Sequence, residues 1–519
     1  MRLRKTLILI FFASIYLFLS VKDLYIDVIN PDGINWHTRT QIFTEALWDN
    51  TLSDTFQSYH PGTTLMWISG PLSNAFKNDV EISKDTFLMR DYQAKLSVVI
   101  FGAFIFALTL VVLWKLLGFK SALFYSIILT LEPFIIGMRR LYHLDYLMTS
   151  LLFLSFLLIL FYTYKSSKWI FAMFAGLFLA LSLLTKITAV IMLPALLVIL
   201  LVGKPTIPKK IVGILVLTLS TLIFIYALFP PIWKNPVKSI PKYYEKIIYG
   251  ITDIGVEGKK EMGTSGKGPN VLLDEIHSEK DYNFYFQSIF MRFSMAGGFL
   301  LAITLGAFIL RPLKELKNFE ISTDFWINFW AVLCSIAIII ALTIPVKKSD
   351  RYIIIVFPFL VFVIANFLAR LKVYFAVPLA VLYTGLVLFE LGPYHPYYLA
   401  YSNPLLGGIE KRLQVLDNDP FGIGSYEAFN IAKKDMENSG YYGFYTISGS
   451  KSIKAISSGG RFSRFPSCVT DYVITFALDG PLTRTCTQKY ELLDTVKING
   501  FDYWFVYKRL NQIHESNYK

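Results

Sequence analysis

The chain has 519 residues, of which 54% are hydrophobic and only 17% charged, against roughly 25% charged in ordinary soluble domains. With a mean hydropathy of +0.50 and aromatics at 16%, this excludes a disordered chain, a collagen-like chain and a string of soluble domains, and points to a polytopic membrane protein. The formal net charge of +13 gains a meaning only when its residues are placed.

Apolar runs long enough to cross about 30 Å of hydrocarbon, roughly 20 residues as helix, recur along the first three quarters of the chain. About eleven transmembrane helices are expected, at 6–21, 94–117, 119–137, 146–164, 168–184, 187–203, 211–229, 288–310, 325–345, 351–370 and 373–392. The pair 168–184 and 187–203 is separated only by Thr185 and Lys186. The first run begins with Arg2, Arg4 and Lys5, a start common to signal peptides and anchors. No small-x-small cleavage site precedes Val21-Lys22-Asp23, so an uncleaved anchor is expected. Lys and Arg in short loops stay cytoplasmic, and alternation from an inside N-terminus puts Lys115, Lys120, Lys165, Lys168, Lys204, Lys209, Lys210, Arg311, Lys314, Lys317, Arg370 and Lys372 on that one face. An odd number of spans then leaves the C-terminus external. Positive charge placed this way is a topology signal and an anionic-lipid contact, and nucleic-acid binding is excluded as a partner class.

Two domains are expected, a transmembrane domain 1–392 with external loops 22–93 and 230–287, and an external soluble domain 393–519. In the first loop Asn30-Pro31-Asp32-Gly33 reads as a turn. Trp36, Arg39, Ile42, Phe43, Ala46 and Leu47 then have helical spacing, and an amphipathic helix with Trp36 and Trp48 near its ends would lie in the interface. Tyr59-His60-Pro61-Gly62 is a second turn. The tail reads as a small α/β domain. It has a helix over 426–436 with Ser425 as N-cap, a strand over 471–476, and a hairpin pairing 492–497 with 503–507 across Asn499-Gly500. Cys334 lies in a span. Cys468 and Cys486 close a short tail loop, where a disulfide would constrain the unfolded chain by about 3 kcal/mol; spacing alone leaves two free thiols equally open. With only His395 and His514 in the tail, no zinc site is expected there.

Some basic residues break the positive-inside bias. Arg139 and Arg140 fall in the short external connection before the fourth span, with Asp145 just after them, and Lys347, Lys348, Asp350 and Arg351 fall in the external loop before the tenth. Local ion pairs are one reading. The other is an anionic ligand at the outer interface, held by charge-assisted contacts.

These blocks, taken in order, resemble the GT-C class of integral-membrane glycosyltransferases, in the group containing protein O-mannosyltransferases and lipid A aminoarabinose transferases. Asp32-Gly33 through Arg39 and Phe43 is similar to the Asp-Glu block of the first external loop. Tyr59-His60-Pro61-Gly62-Thr63-Thr64 is similar to a His-Pro-Gly block, and Arg139 through Asp145 to the second-loop block ending in Asp. Gly176 to Lys186 resembles the Gly-rich helix ending in Leu-Thr-Lys. Lys348 to Tyr352 resembles the Arg-Tyr block, and Tyr394-His395-Pro396-Tyr397-Tyr398 through Asn403-Pro404 and Gly407-Gly408 the lead into the tail. The chain departs from the group where Gly33 stands in place of Glu, so no role of that Glu carries over.

The resemblance implies transfer of a sugar from a polyprenyl-phosphate donor to an acceptor hydroxyl on the external face, with inversion. Asp32 is then the expected base or acceptor-orienting group and Asp145 a second carboxylate. Arg39, His60, Arg139, Arg140, Lys347, Arg351 and Tyr352 are the donor-phosphate candidates. His60 reads equally as a turn histidine, and Lys186 as a residue that snorkels to the interface. No metal ligands and no required cofactor are expected, and a divalent cation is left open, with His143 near Asp145. The partners expected are the lipid donor, an acceptor lipid, glycan or protein, and membrane lipids, in a prokaryotic cell membrane. A transporter or lipid-linked sugar flippase is the competing class. It would show paired hydropathy repeats and ionisable groups near the midplane, whereas here the ionisable groups gather at one face.

Overall fold

The computed structural model describes residues 2–74, 85–253, 282–315, 322–345, 348–416, 420–440, 445–457, 461–464, 468–479, 482 and 490–510. Its helices in chain order are α1 Arg2–Val21, α2 Pro31–Trp48, α3 Thr63–Asn74, α4 Asp85–Leu117, α5 Phe119–Leu131, α6 Pro133–Arg139, α7 Leu144–Tyr164, α8 Trp169–Thr185, α9 Leu193–Val202 and α10 Ile207–Leu228. They continue with α11 Pro236–Asp253, α12 Phe284–Arg292, α13 Met295–Glu315, α14 Thr323–Thr343, α15 Phe357–Arg370, α16 Val373–Leu391, α17 Gly408–Val415, α18 Ser425–Asn438 and α19 Lys451–Ile456. Short 3₁₀ turns Ile187–Met192 and Asp350–Val356 lead into α9 and α15.

Among the described residues seven helices are long and apolar enough to cross a membrane, and three shorter apolar helices, Trp169–Thr185, Ile187–Val202 and Met295–Leu310, accompany them. The span expected at 119–137 breaks into α5 and α6, bent by 73° where Pro133 lacks the amide that would continue the helix. Eleven is reached only by counting this bent pair and the short helices as spans. At the break the Glu132 carboxylate accepts hydrogen bonds from Ser294 N (3.0 Å), Ser294 Oγ (2.8 Å) and Tyr383 OH (2.9 Å).

Burial separates centre from periphery. The apolar windows of α7 and of Asp350–Arg370 are 89% and 83% buried inside the protein, whereas Ile207–Leu228 is 22% buried and turns its side chains to lipid. Both central spans begin at one end of the bundle, with Asp145 in the first turn of α7 and Asp350 and Arg351 opening the other. The ionisable residues of two separate blocks are thereby held on the two most buried spans among the described residues.

Asn30-Pro31-Asp32-Gly33 is a helix start rather than a free turn. Asn30 is the N-cap, its side chain accepting from Gly33 N at 2.5 Å, and Pro31 is the first helical residue, where a missing amide costs nothing. The buried stripe of α2 is Gly33, Trp36, Thr40, Phe43 and Ala46, the expected helical spacing. Trp36 is 3% exposed and Trp48 83%, so Trp36 belongs to the protein core, and of the two expected interface anchors only Trp48 is outward.

The tail carries a five-stranded sheet, β1 Thr446–Ser448, β2 Arg461–Ser463, β3 Tyr472–Phe476, β4 Tyr490–Ile498 and β5 Phe501–Arg509, in the order β2-β1-β3-β5-β4. β4 and β5 pair antiparallel with Leu492 opposite Tyr507, and Asn499 and Gly500 both have positive φ (48° and 78°), as the Asn-Gly hairpin requires. The helix expected at 426–436 is present as α18, but Ser425 is its first residue and not its cap, its hydroxyl donating to Gly422 O at 2.8 Å. Cys468 is disulfide-bonded; Cys486, its expected partner, lies outside the described residues, and Cys334 is free and buried.

Candidate active site

Asp32 lies in the first turn of α2, where its charge is favoured by the helix dipole. One carboxylate oxygen, Oδ2, faces His143 Nε2 at 3.2 Å and Arg351 Nη1 at 3.1 Å. Its side chain is nevertheless 41% exposed, so the group is anchored on one side and open on the other. Burial works against its charge, but the hydrogen bond from His143 and the Arg351 guanidinium outweigh it, holding the carboxyl well below the usual carboxylate range.

His143 caps α7 and stands between two carboxylates. In the neutral ring Nδ1 accepts from Asp145 N–H at 3.3 Å, which leaves Nε2–H to donate to Asp32. In the protonated ring Nδ1–H faces Asp145 Oδ2, also at 3.3 Å. Burial disfavours the imidazolium, but the Asp145 charge and the hydrogen bonds to Asp145 and Asp32 prevail, and the pKa is raised above its ordinary value. The other oxygen of Asp145 pairs with Lys186 Nζ at 2.5 Å. Lys186 sits in extended backbone at the junction between α8 and the next 3₁₀ turn, and its ammonium lies 4.5 Å from the centroid of the Tyr352 ring. It is buried and ion-paired, not snorkelling. Asp32, His143, Asp145 and Lys186 thus form one chain of alternating charge.

The Arg351 guanidinium stacks on Phe421 at 3.9 Å from the ring centroid, and Phe421 presents its face or edge to His143 at 5.9 Å. Behind Arg351, Asp350 receives Arg292 and Arg412, the first through Nε at 2.9 Å and the second through Nη1 at 3.4 Å. Arg292 also donates to the carbonyls of Leu399 and Tyr401, each at 2.8 Å. Arg39 stacks on Trp36 at 4.5 Å, about two helical turns beyond Asp32. The Tyr59 and His60 rings lie 4.1 Å apart. Burial, followed by the Lys186 ammonium, pushes the His60 imidazole down to about 2. His60 is therefore neutral and offers a ligand a hydrogen bond but no charge.

The expected phosphate candidates do not all meet here. Arg139 is 3% exposed and Arg140 0%. Arg139 donates to the carbonyls of Thr130 (3.2 Å) and Tyr16 (3.3 Å), while Arg140 pairs with Asp27 at 2.5 Å and donates to the carbonyls of Leu19 and Lys22. Both pin the bend after α6 to α1 and its exit and are buried inside the protein, although Arg139 Nε and Arg140 Nη2 have no hydrogen-bond partner among the described residues. Lys347 lies outside the described residues. Three groups of the site were not singled out from the sequence as site residues: His143 as a bridge between the carboxylates, Phe421 as cover, and the Arg292–Asp350–Arg412 cluster as support. An aromatic beside Gly422 and a His two residues before Asp145 were the only local signals.

Gly33, the departure from the related group, has a steric cause. A Cβ there would lie 2.7 Å from the Asn30 side chain and 3.0 Å from the Tyr142 carbonyl, so a larger residue displaces either the N-cap or the loop that carries His143. The imidazole stands between Asp32 and Asp145, so those carboxylates do not converge on a point. Among the described residues no group of three or more His, Cys, Asp or Glu side chains is placed to hold a metal ion.

Fold and site together define a polytopic integral membrane protein with a carboxylate and cation cluster at one end of its helical bundle. Residues 88–233 match the family model described as dolichyl-phosphate-mannose-protein mannosyltransferase, a segment that contains His143, Asp145 and Lys186 but neither Asp32 nor Arg351. The fold is similar to that of ArnT from Cupriavidus metallidurans bound to undecaprenyl phosphate, with a TM-score of 0.52 and 12% identity over 96% of this chain and 97% of that one. The apo state of the same protein gives a TM-score of 0.52 at 11% identity, with the same coverage. The Archaeoglobus fulgidus oligosaccharyltransferase in complex with Zn and sulfate gives 0.45 at 13% identity, over 90% of this chain and 68% of that one. No curated protein matches the chain in sequence. The likeness to the ArnT fold thereby extends over nearly the whole chain.

Proposed function

We propose that the protein is a membrane glycosyltransferase that moves a sugar from a polyprenyl-phosphate donor to an acceptor hydroxyl, with inversion, on the external face of a prokaryotic cell membrane. In this reading the N-terminus is cytoplasmic and the tail external. The observation that carries the proposal is Asp32, a half-exposed carboxylate fixed at one oxygen and beside a row of cations. The mannosyltransferase match over residues 88–233 and the undecaprenyl phosphate bound to a protein of the same fold support a lipid-phosphate donor.

In the reaction Asp32 takes the acceptor proton as the hydroxyl attacks the anomeric carbon, and the bond to the donor phosphate breaks on the opposite face. Arg351, Arg39 and Lys186 stabilise the departing phosphate, with Tyr352 as a hydrogen-bond donor. Inversion is supported by the state of Asp145. Its oxygens face Lys186 and His143, which leaves it poorly placed to attack carbon as the nucleophile of a retaining reaction. Arg351 serves Asp32 until the donor arrives. A phosphate that draws the guanidinium away removes a cation from the carboxylate and raises its basicity when the acceptor must be deprotonated.

Replacing Asp32 by Asn keeps shape and removes the base, for an expected loss of about 10²–10⁴ in transfer rate. The test is mass spectrometry of polyprenyl-linked sugars and surface glycans in cells carrying the wild type, D32N or no gene. Accumulation of one lipid-linked sugar with loss of one glycan modification, in D32N as in the deletion, is the expected result. Full glycan modification in a correctly inserted D32N protein overturns the assignment, and an unchanged lipid and glycan profile in the deletion overturns the transferase reading.

A further inference from the structure

A cavity of about 420 Å³ lies between α13, α14 and α15, whereas the space beside Arg292, Asp350 and Phe421 in the catalytic cluster is only about 20 Å³. Thr304 and Ala307 line it from α13, Val363, Phe367 and Arg370 from α15, and Asn328 from α14. The spacing puts each set on one helix face, and small side chains at 304 and 307 leave the gap that bulkier ones would close. The span that opens with Asp350 and Arg351 ends at Arg370, so at about 1.5 Å per residue the cavity mouth is roughly 30 Å from the catalytic cluster. It is therefore not part of the donor site.

Two observations point to an occupant. Thr304, a lining residue, is 2% exposed, and its buried hydroxyl has no hydrogen-bond partner among the described residues; a hydroxyl left unsatisfied in a membrane interior costs about 1–3 kcal/mol. Arg370 stands at the mouth with its side chain 34% exposed; it donates to the Asp324 carbonyl at 3.2 Å and makes an exposed 3.7 Å pairing with the Asp324 carboxylate, of the kind that contributes at most about 1 kcal/mol. Lys204, whose ammonium contacts Thr323 Oγ1 at the start of α14, and Lys372 just after α15 add positive charge at the same end. The volume falls in the range of about 300–1,000 Å³ typical of small-molecule sites. An apolar slot with a cationic mouth matches an acyl chain inside and a phosphate outside.

We propose that this cavity is a binding site for one anionic diacyl phospholipid, separate from the catalytic site and at the opposite end of the bundle. The acyl chain fills the space between α13 and α15, and the phosphate is held by Arg370 with Lys204 and Lys372 near it.

The experiment is native mass spectrometry of the full chain released from detergent after titration with phosphatidylglycerol or phosphatidylcholine of equal chain length. The wild type is expected to retain one phosphatidylglycerol per chain in preference to phosphatidylcholine. Ala307→Trp, which fills the cavity, is expected to abolish that retained molecule while D32N leaves it unchanged. Arg370→Gln removes the mouth charge and should lower the preference for phosphatidylglycerol about five-fold, since one basic residue near a membrane surface contributes about 1 kcal/mol. Equal retention of both lipids by the wild type, or undiminished phosphatidylglycerol on A307W, overturns the site. If A307W does not insert, an unchanged lipid preference in R370Q overturns it.

Discussion

As the proposed base, Asp32 is under two opposed demands. A general base works best with a pKa near the operating pH, yet the contacts from His143 and Arg351 hold this carboxyl well below the usual range. Such contacts keep it ionised and aimed, and His143 is the part of that arrangement open to a solution test. Its pKa is raised in the folded protein, so its contribution to stability is complete below the ordinary value of about 6.5 and is lost as pH rises through the higher folded value. Thermal unfolding in detergent should therefore show stability falling across that window in the wild type, and His143→Gln should remove the fall; an identical pH profile in H143Q would show that the imidazole carries no such linkage. Gly33→Glu, which restores the residue of the related group, is expected to destabilise, because its Cβ meets the Asn30 cap and the Tyr142 carbonyl. Losing the Asn30 cap alone costs about 1 kcal/mol, measurable as a lower midpoint in the same melts. Asp32 could be singled out because it stands in an ordered set of blocks. The inward turn of Arg139 and Arg140 was not, since an arginine bound to carbonyls and one awaiting a phosphate look the same in sequence.

At the scale of elements, the apolar runs and the Asn499-Gly500 hairpin could be read directly because lipid thickness and turn chemistry act locally. Contacts set by packing could not. Asp350 meets Arg292 and Arg412 across separations of 58 and 62 residues, and no spacing rule links them. The break at Glu132-Pro133 was marked by proline but hidden by the apolar residues on both sides. The junction at Lys186 was visible as a short gap between two runs, and the structure supplies its reason: the chain leaves α8 in extended form so that the ammonium reaches Asp145. Removing one partner of a buried pair leaves an uncompensated charge and costs about 3–5 kcal/mol. Lys186→Met should therefore lower stability by about that amount and the double variant Lys186→Met, Asp145→Leu by clearly less, as read from thermal or denaturant unfolding in detergent. Equal losses in the two would mean that the pair is not coupled.

For the whole molecule, the question is why the tail packs against the end of the bundle that carries Asp32. The tail reaches the site at several points, one of them Arg412 of α17, which meets Asp350 at 3.4 Å. Lys451 of α19 donates to Asn35 of α2 at 2.6 Å, and the segment before α18 brings Phe421 onto Arg351. That segment is fixed from both sides: Trp504 of β5 donates to Ile423 O at 2.6 Å, and Gly422, at φ 77°, has no room for a Cβ beside the Ile29 carbonyl. The sheet therefore holds a strap whose aromatic ring covers the cation serving Asp32. Gly422→Ala should displace the strap, since an L residue is strained at that φ and also collides with Ile29. Gly440→Ala is the control, because Gly440 has a similar φ of 72° but nothing within 4 Å of an added Cβ. Both substitutions carry a backbone penalty of about 1–2 kcal/mol, so they should lower the stability of the tail by similar amounts. Only G422A should lose glycan modification in cells and gain hydrogen exchange at the start of α2 while β3 and β5 stay protected. Equal transfer by the two variants would show that the tail sits beside the catalytic site without controlling it.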